Sequence, residues 1–261
     1  MNRQVVTVKL GGSCLEDMPV DWWDDLAAEA RTRPVLLAHG WSKQLKQLRL
    51  SCGKESTMLR DRYGNQSRWT TPDVIGDIKQ VSDEIAERVR RQLEHRGVGM
   101  EHIIGSDGLL QAGPAERWWW WDKQLIELDN LVGPVIGVDA TRLPALRPGM
   151  ACLVTPLARN EAGQEVNTDA DRAAAAIAAA LLSPDLALVT DVPNLLIDGE
   201  PVRQISVEAA GDFRDHGATG GMRKKLRAAC EAVERGVNRV IIGNAPASDL
   251  LSGRSGTVIT V

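Results

Sequence analysis

QVVTVKLGGS (4–13) and PVLLAHGWS (34–42) each contain a short apolar run that ends in a glycine turn. Between them, residues near 21–31 have the spacing of a helix, and another helix is predicted near 42–50. Strands that alternate with glycine turns and helices are typical of a parallel sheet with crossover helices. These 50 residues therefore predict an α/β fold.

The rest of the chain extends this pattern without a repeat or a break in composition. Residues 51–71 are polar and rich in turn residues, including Tyr63-Gly64-Asn65, and predict a hairpin or lid. Pro72 is suited to a first helical turn, so a long helix is predicted to about residue 96. The remaining predicted elements are strands in 99–108, 133–140, 185–198, 238–246 and 253–261, a hairpin turning at 161–163, an alanine-rich helix from 172 and a basic helix after Gly220-Gly221.

Composition excludes several classes of function. The net charge of -4 and the pI of about 5.7 argue against a general nucleic-acid binder. The sequence lacks a long uncharged apolar run and a signal-peptide layout, so a cytoplasmic protein without a membrane segment is expected. The four cysteines are far apart and lack metal-site spacing, so we expect reduced thiols and no metal site of their own.

Four consecutive tryptophans, Trp118 to Trp121, are the most unusual local feature. A strand would place them on alternate faces, and a helix would spread them around its circumference. In either case one face cannot bury all four. A surface for an oligomer or partner is one interpretation, and a lid folded over the body is the other.

The candidate chemistry lies at strand ends, where ligands bind in open α/β sheets. The turn Gly11-Gly12 can present backbone N–H groups to a phosphate, with Lys9 as a counter-charge, although it is not a Walker A loop. Lys225 stands near the start of a helix, where it could also meet phosphate. Asp171 precedes or opens a helix, so it could orient lysines, bind a metal or cap the helix.

Taken in order, these motifs resemble the amino acid kinase family over nearly the whole chain. That resemblance implies a three-layer αβα sandwich around a mainly parallel eight-stranded sheet, in one domain with an acceptor-binding lobe (1–165) and an ATP-binding lobe (166–261). It also implies ATP and Mg²⁺ as cofactors, phosphorylation of a carboxylate and a homodimer. The motifs are VKLGGS (8–13), HGW (39–41), NTDADRAAAAIA (167–178), VTDV (189–192), GGMRKK (220–225) and GTVITV (256–261).

The resemblance also implies roles for single residues. Lys9 and Lys225 resemble the lysines that stabilise the transferring phosphoryl group, and Asp171 resembles the aspartate that organises them. Arg68 resembles the arginine that binds the acceptor's α-carboxylate, where a guanidinium can form a bidentate pair. The other residues implied are Asn167, Gly40 and Trp41 on the substrate side, and Gly11, Gly12, Asp191 and Gly221 on the nucleotide side.

Trp41 departs from the family pattern, which has HGG where this chain has His39-Gly40-Trp41. The indole could narrow the acceptor pocket, stack on an unusual substrate or hinder catalysis. A nucleotide-binding regulator without turnover is therefore one alternative to an active kinase, although the three residues Lys9, Asp171 and Lys225 argue against it.

Residues 43–68 carry seven basic side chains against Glu55 and Asp61, an excess of five positive charges in an acidic protein. Such a run is usually a solvated face. Here it borders the predicted acceptor pocket. The resemblance includes relatives that act on aminoadipate or glutamate linked to a small acidic amino-group carrier protein, and a basic run at this place could steer such a carrier. A kinase for that carrier-linked substrate is the first hypothesis, and N-acetylglutamate kinase, which acts on the free acid, is the alternative. The seven are Lys43, Lys46, Arg49, Lys54, Arg60, Arg62 and Arg68.

Overall fold

The computed structural model describes residues 5–62 and 64–261. Gln4, the first residue of the predicted N-terminal strand, and Tyr63, in the predicted turn, lie outside these described residues. Within the described ranges the strands are β1 (Val6–Leu10), β2 (Val35–His39), β3 (Met58–Asp61), β4 (Gln66–Arg68), β5 (Gly99–Ile104), β6 (Leu110–Ala112), β7 (Trp118–Trp121), β8 (Gln124–Glu127), β9 (Val135–Val138), β10 (Met150–Thr155), β11 (Leu157–Asn160), β12 (Glu165–Asn167), β13 (Asp185–Val189), β14 (Leu195–Ile197), β15 (Glu200–Val202), β16 (Gln204–Ser206), β17 (Arg239–Gly243) and β18 (Thr257–Thr260).

Helices alternate with these strands. The long helix predicted from Pro72 is confirmed, and Thr71 caps it by accepting a hydrogen bond from the N–H of Val74. The described helices are α1 (Val20–Thr32), α2 (Ser42–Ser51), α3 (Pro72–Glu94), α4 (Ala170–Ala180), α5 (Val207–His216), α6 (Gly220–Glu234) and α7 (Ala247–Leu251), with short 3₁₀ turns at Gly105–Asp107 and Ala140–Arg142.

The eight-stranded sheet has the order β16-β18-β17-β13-β1-β2-β10-β5, and every neighbouring pair is parallel except β17 with β18. The predicted mainly parallel sheet is therefore confirmed. The sheet crosses the division predicted between the lobes, because β1 is paired with β2 on one side and with β13 on the other. That two-lobe division stays a prediction.

Helices cover both faces of this sheet, as the predicted three-layer sandwich requires. Successive side chains of a strand point to opposite faces. Val35 and Leu37 of β2 pack with residues of α1, α3 and α7, whereas Leu36 packs with residues of α4, β6 and β9. On that second face the alanines of α4 have small side chains, so α4 and α6 lie close to each other and to the sheet. This close packing brings the N-terminal parts of both helices to the same edge.

One predicted strand belongs to a different sheet. GPVIGVDA (133–140) was expected to extend the main sheet, but its strand β9 lies in a four-stranded sheet ordered β12-β11-β6-β9. A short apolar run predicts a strand but not the sheet to which the strand belongs. Here β9 pairs with β6, which lies in the four-stranded sheet. The hairpin predicted at 161–163 is confirmed by the antiparallel pair β11 and β12.

The polar segment 51–71 forms the predicted hairpin, β3 and β4, in a second four-stranded sheet ordered β4-β3-β7-β8. The four tryptophans form strand β7, so of the two conformations that the sequence left open they adopt the strand. Trp119 is buried, while Trp118, Trp120 and Trp121 each expose more than two fifths of their surface. Among the described residues, no helix is both long and apolar enough to cross a bilayer.

Candidate active site

A buried cluster of charges lies at the carboxyl end of β1. Asp171 Oδ1 is 2.7 Å from Lys9 Nζ, and Asp171 Oδ2 is 3.1 Å from Lys225 Nζ. The three residues come from the end of β1, the first turn of α4 and the second turn of α6. Their side chains are only 7%, 9% and 13% exposed, in the order Lys9, Asp171 and Lys225. The structure thus brings together the three predicted catalytic residues.

The electrostatics of this cluster favour one anion between two cations. Burial alone would raise the pKa of the Asp171 carboxyl, but the two ammonium groups outweigh it and hold the pKa well below its usual range. Burial would lower the pKa of Lys9, but the charge and hydrogen bond of Asp171 raise it overall. Burial and the charge of Lys9 lower the pKa of Lys225 despite Asp171. The buried cluster carries a net positive charge, which is suited to an incoming phosphate.

The start of α4 holds Asp171 in place. Asp169 is the N-cap, and its Oδ1 accepts hydrogen bonds from the N–H groups of Asp171 and Arg172 at 3.0 and 3.1 Å. This bond satisfies N–H groups that a helix start would otherwise leave without partners. Because the capping role falls to Asp169, both oxygens of Asp171 are free to bind the two lysines.

Two glycine turns touch directly beside this cluster. The N–H of Gly40 donates to the carbonyl of Leu10 at 3.0 Å, which joins the turn after β2 to the end of β1. A Cβ added at Gly12 would lie 2.8 Å from the carbonyl carbon of Gly40, and one added at Gly40 would lie 3.8 Å from Lys9 Nζ. The absence of side chains therefore allows the two turns and the lysine to approach each other.

We expect Gly12→Ala to weaken both folding and catalysis. The added methyl group would press on the backbone of Gly40, which cannot rotate away, so the two turns must separate. Overpacking of this kind costs about 1–3 kcal/mol of unfolding free energy, and displaced phosphate donors cost about 100-fold in kcat. Denaturant unfolding and steady-state rates measure the two effects. Gly211→Ala is the matched control, because its Cβ would contact nothing within 4 Å and α5 should keep or gain stability. Equal behaviour of the two variants would contradict this role of Gly12.

A cavity of about 330 Å³ opens next to the charged cluster. It lies between the main sheet, the start of α4 and the β3–β4 hairpin. Its lining includes the predicted substrate-side residues Gly40, Trp41, Arg68 and Asn167, together with Ser42, Met58, Trp119, Thr168, Asp169 and Lys224. The four predicted acceptor-binding residues therefore share one cavity.

Arg68 is the least satisfied side chain in this cavity. The residue is only 9% exposed, its Nη2 donates weakly to the carbonyl of Ser42 at 3.4 Å, and its Nη1 is buried without a hydrogen-bond partner among the described residues. Burial and the charge of Arg49 lower the pKa of Arg68. A buried guanidinium with an unused donor is costly unless an anion binds it. The cavity is thus suited to a carboxylate.

Asn167 and Trp41 form other parts of the cavity. Asn167 Nδ2 donates to Thr70 Oγ1 at 3.1 Å, which fixes the orientation of the amide. Trp41 is 6% exposed, belongs to the hydrophobic core and makes an edge contact with His39, with 5.9 Å between ring centroids. Of the predicted effects of Trp41, a narrower cavity fits this placement. Stacking of a free indole on the substrate does not, because most of the ring already packs in the core.

Two of the nucleotide-side residues, Gly11 and Asp191, follow the neighbouring strands β1 and β13. Gly11 approaches the end of β13, since a Cβ there would lie 2.8 Å from the carbonyl oxygen of Val189. Gly221 is exposed in the first turn of α6. Asp191 is exposed after β13, and its Oδ1 accepts a hydrogen bond from Thr190 Oγ1 at 3.1 Å. The structure gives Asp191 no contact with the lysine cluster, so its nucleotide role stays a prediction.

Lys224 is a site residue that the sequence analysis missed. It lines the acceptor cavity, its Nζ donates to the carbonyl of Gln66 in β4, and the same Nζ lies 3.9 Å from Asp169 Oδ2. It therefore links α6 to the hairpin across the cavity. The sequence offered one indication of this role: Lys224 stands directly before Lys225, and adjacent lysines near the start of a helix can contact different groups.

The basic run of residues 43–68 is largely neutralised by acidic residues from other segments. Four of its seven cations form ion pairs, and α3 supplies the acids for two of them. Lys46, Arg60 and the buried Arg68 have no acidic partner among the described residues. This result weakens the prediction that the whole run forms a basic docking rim. The pairs are Lys43 with Glu16 and Asp17, Arg49 and Lys54 with Asp73 and Asp77, and Arg62 with Glu116.

Comparison with known proteins identifies the family of this chain. The family model described as "Amino acid kinase family" matches residues 4–244. The chain belongs to the amino acid kinase family. The family resemblance, the fold and the prediction of a phosphotransferase with a carboxyl-group acceptor are confirmed at that level.

Relatives of two kinds are similarly close. The chain is 30% identical to a "putative LysW-aminoadipate/LysW-glutamate kinase" of Cenarchaeum symbiosum (strain A), over 98% of this chain and 99% of the relative. It is also 30% identical to an acetylglutamate kinase of Geobacillus stearothermophilus, over 92% of this chain and 89% of the relative. Among solved structures, the protein smu.665 of Streptococcus mutans UA159 has a TM-score of 0.78 at 21% identity, with 98% of each chain covered, and it shows the fold alone.

Proposed function

We propose that this amino acid kinase transfers the γ-phosphoryl group of ATP to the side-chain carboxylate of a 2-aminoadipate or glutamate that is linked to a small acidic carrier protein. The observation that carries the proposal is the buried guanidinium of Arg68, whose Nη1 has no hydrogen-bond partner among the described residues, in a cavity that opens beside the lysine cluster. The cavity can hold a second carboxylate of an acceptor while its reacting carboxylate faces the phosphate. Relatives of this chain are described as kinases for LysW-linked aminoadipate and glutamate, which supports the carrier-linked form.

The residues divide the chemistry among themselves. A carboxylate oxygen of the acceptor forms a bond to the γ-phosphorus, and the bond to the β–γ bridging oxygen breaks, which leaves ADP and an acyl phosphate. Lys9 and Lys225 place positive charge around the phosphoryl group as it moves, and Asp171 holds both ammonium groups in position. The N–H groups of Gly11, Gly12 and Gly40 fit phosphate oxygens.

The site fits ATP as a substrate with its own magnesium. Mg²⁺ would enter with the nucleotide phosphates and neutralise part of their charge. Within the described ranges, no group of three or more His, Cys, Asp or Glu side chains could hold a metal. Both oxygens of Asp171 already contact lysines, so its part in the reaction is to position them. A cytoplasmic homodimer remains a prediction of the sequence, which light scattering would test.

N-acetylglutamate kinase is the second candidate function. Two observations favour it: the similarity to acetylglutamate kinases, and the internal pairing of four cations in the predicted docking rim. The non-catalytic regulator is the less supported alternative, because Trp41 packs in the core and the lysine cluster is complete.

The experiment that separates these functions is ADP release with ATP and Mg²⁺, measured with free N-acetylglutamate and with LysW carrier bearing glutamate or aminoadipate. The proposal expects kcat/KM to be far higher with the charged carrier. Turnover of N-acetylglutamate alone would assign the second function. ATP binding without release of ADP in either assay would support the regulator.

We expect Arg68→Lys to weaken acceptor binding and leave kcat nearly unchanged. Lysine keeps the charge but cannot make the paired hydrogen bonds of a guanidinium. A lost charge-assisted hydrogen bond is worth about 1.5–3 kcal/mol, so the acceptor KM should rise roughly 10- to 100-fold. Steady-state kinetics at saturating ATP measure this change. Lys46→Ala is the control, because Lys46 is exposed on α2 and does not line the cavity. A normal acceptor KM in Arg68→Lys would remove Arg68 from the acceptor site.

A further inference from the structure

One face of the sheet that contains the tryptophans is apolar, exposed and positively charged. Directly opposed residues of antiparallel strands lie on the same face, and residues two apart in one strand do as well. By this register, Met58 and Arg60 of β3, Trp118 and Trp120 of β7, and Leu125 and Glu127 of β8 share a face, which we call the tryptophan face. The charge of Glu127 is balanced by Arg117, whose Nη2 lies 2.6 Å from Glu127 Oε1. Its four apolar members are each 40–45% exposed.

The other side of β7 carries Trp119 and Trp121, and Trp121 is 43% exposed and makes an edge contact with Trp69. Trp119 points away from the tryptophan face, is almost completely buried and donates from Nε1 to the carbonyl of Glu116 at 2.7 Å. Trp119 therefore anchors the strand, whereas Trp118 and Trp120 leave large apolar surfaces in water. Exposed aromatic groups that cluster in this way are typical of protein interfaces.

The tryptophan face is continuous with the acceptor cavity. Met58 belongs to the face and also lines the cavity, and it is paired in register with Arg68, whose guanidinium has the unused donor. An acceptor that is tethered to a protein must reach Arg68 while its carrier stays outside the cavity. The carrier would then contact the rim at Met58 and the surface beyond it.

The charge of this face suits an acidic partner. Arg60 is exposed beside Trp120 in the register, and among the described residues it forms no ion pair and donates only to the carbonyl of Gly64, at 3.3 Å. Most other cations of the basic run are neutralised within the chain, as shown above. Arg60 therefore offers a charge that has no acidic partner among the described residues, beside the apolar side chains of Met58 and Trp120, which matches a partner with carboxylates around an apolar patch.

From these observations we propose that the tryptophan face is the docking surface for the acidic carrier protein that presents the acceptor. This inference rests on the proposed function and adds the surface that recognises the carrier. Trp118 and Trp120 would supply buried contact area, and Arg60 would supply the charged contact. The face would contribute nothing to a free small acid, which needs only the cavity.

The test compares variants with the charged LysW carrier and with N-acetylglutamate. Trp118→Ala/Trp120→Ala and Arg60→Glu should each raise the KM for the carrier at least tenfold while kcat at saturation and any activity on the free acid stay unchanged. Leu196→Ala removes an apolar side chain that is 53% exposed on β14, so it is the matched control. If the double variant does not fold, Arg60→Glu alone decides, because its exposed side chain bears little on folding.

The outcomes separate the two proposals. A wild-type protein that turns over N-acetylglutamate and not the charged carrier would reject the proposed function, and the docking surface with it. Carrier turnover with an unchanged carrier KM in both variants would overturn the docking surface and leave the function intact. If the wild type is a dimer in light scattering, and the variants lose the dimer but keep the wild-type KM for the carrier, the face contacts a second copy of this chain. That result would also overturn the inference.

Discussion

Replacement of Lys225 with alanine is expected to reduce kcat about 1,000-fold, since a single preorganised charge or donor at a transition state is typically worth 10²–10³ or more. Lys225 is the more weakly held of the two lysines in the cluster, with its Nζ 3.1 Å from Asp171 Oδ2. Burial and Lys9 lower its pKa, so its charge is only partly satisfied within the protein. The negative charge of an arriving phosphoryl group would give Lys225 its second anionic partner.

The fold should survive this change. Asp171 keeps Lys9 at 2.7 Å, so the carboxylate is not left without a counter-charge. Measurements of kcat and KM for both substrates, with thermal unfolding as a check, test the expectation. Arg235→Ala, which removes an exposed cation at the other end of α6, is the control and should retain normal activity. A normal kcat in Lys225→Ala would contradict the assignment of the whole cluster.

Replacement of Asp171 with asparagine is expected to have the largest effect on stability. The change leaves two buried ammonium groups facing each other without an anion, and breaking a buried ion pair in this way costs about 3–5 kcal/mol. Urea unfolding at neutral pH measures this loss in the free energy of unfolding. In a Lys9→Met background the same substitution should cost clearly less, because one of the two unpaired charges is gone.

The pH dependence of stability gives a second signature of Asp171. Its pKa is well below the usual value in the folded state, so the unfolded chain binds the proton more readily. The contribution of Asp171 is therefore fully present above the unfolded pKa of about 4 and declines as the pH falls towards the folded pKa. The difference in unfolding free energy between wild type and Asp171→Asn should shrink below about pH 4. A constant difference down to pH 2 would contradict the ion-pair account.

The catalytic residues could be proposed from the sequence because each lies in a recognisable motif at the end of a strand or the start of a helix. Their contact could not be derived in the same way. It depends on the strand order, which places β13 beside β1, and on the alanines that let α4 approach α6. The motif identifies Lys9, Asp171 and Lys225, and the tertiary packing makes them one cluster.

The basic run shows where local reading of charge fails. An excess of positive charge within 43–68 suggested a docking rim, but Asp73 and Asp77 neutralise Arg49 and Lys54 from α3. The sequence shows that those two aspartates lie four residues apart on one face of a helix. It does not show that this face of α3 packs against α2. Arg60 lies on the β3–β4 hairpin and forms no ion pair with any residue that the structure describes.

Two other features depended on tertiary structure. Trp41 is the N-cap residue of α2 and directly follows Gly40, and the sequence alone does not tell whether its ring enters the core or the cavity. Helix α5 was not predicted because its apolar stripe is short: Ala210 is its single buried residue, and Val207 and Phe213 are only partly buried against the core. It forms because Ser206 caps it and α6 packs against it.

Trapping of an acyl phosphate tests the central claim most directly. With ATP, Mg²⁺ and LysW carrier bearing glutamate, added hydroxylamine should convert the product to a hydroxamate in an amount equal to the ADP released. Lys225→Ala should abolish both products. ADP release without a hydroxamate from either the charged carrier or N-acetylglutamate would show that no carboxylate is phosphorylated, and would contradict the account.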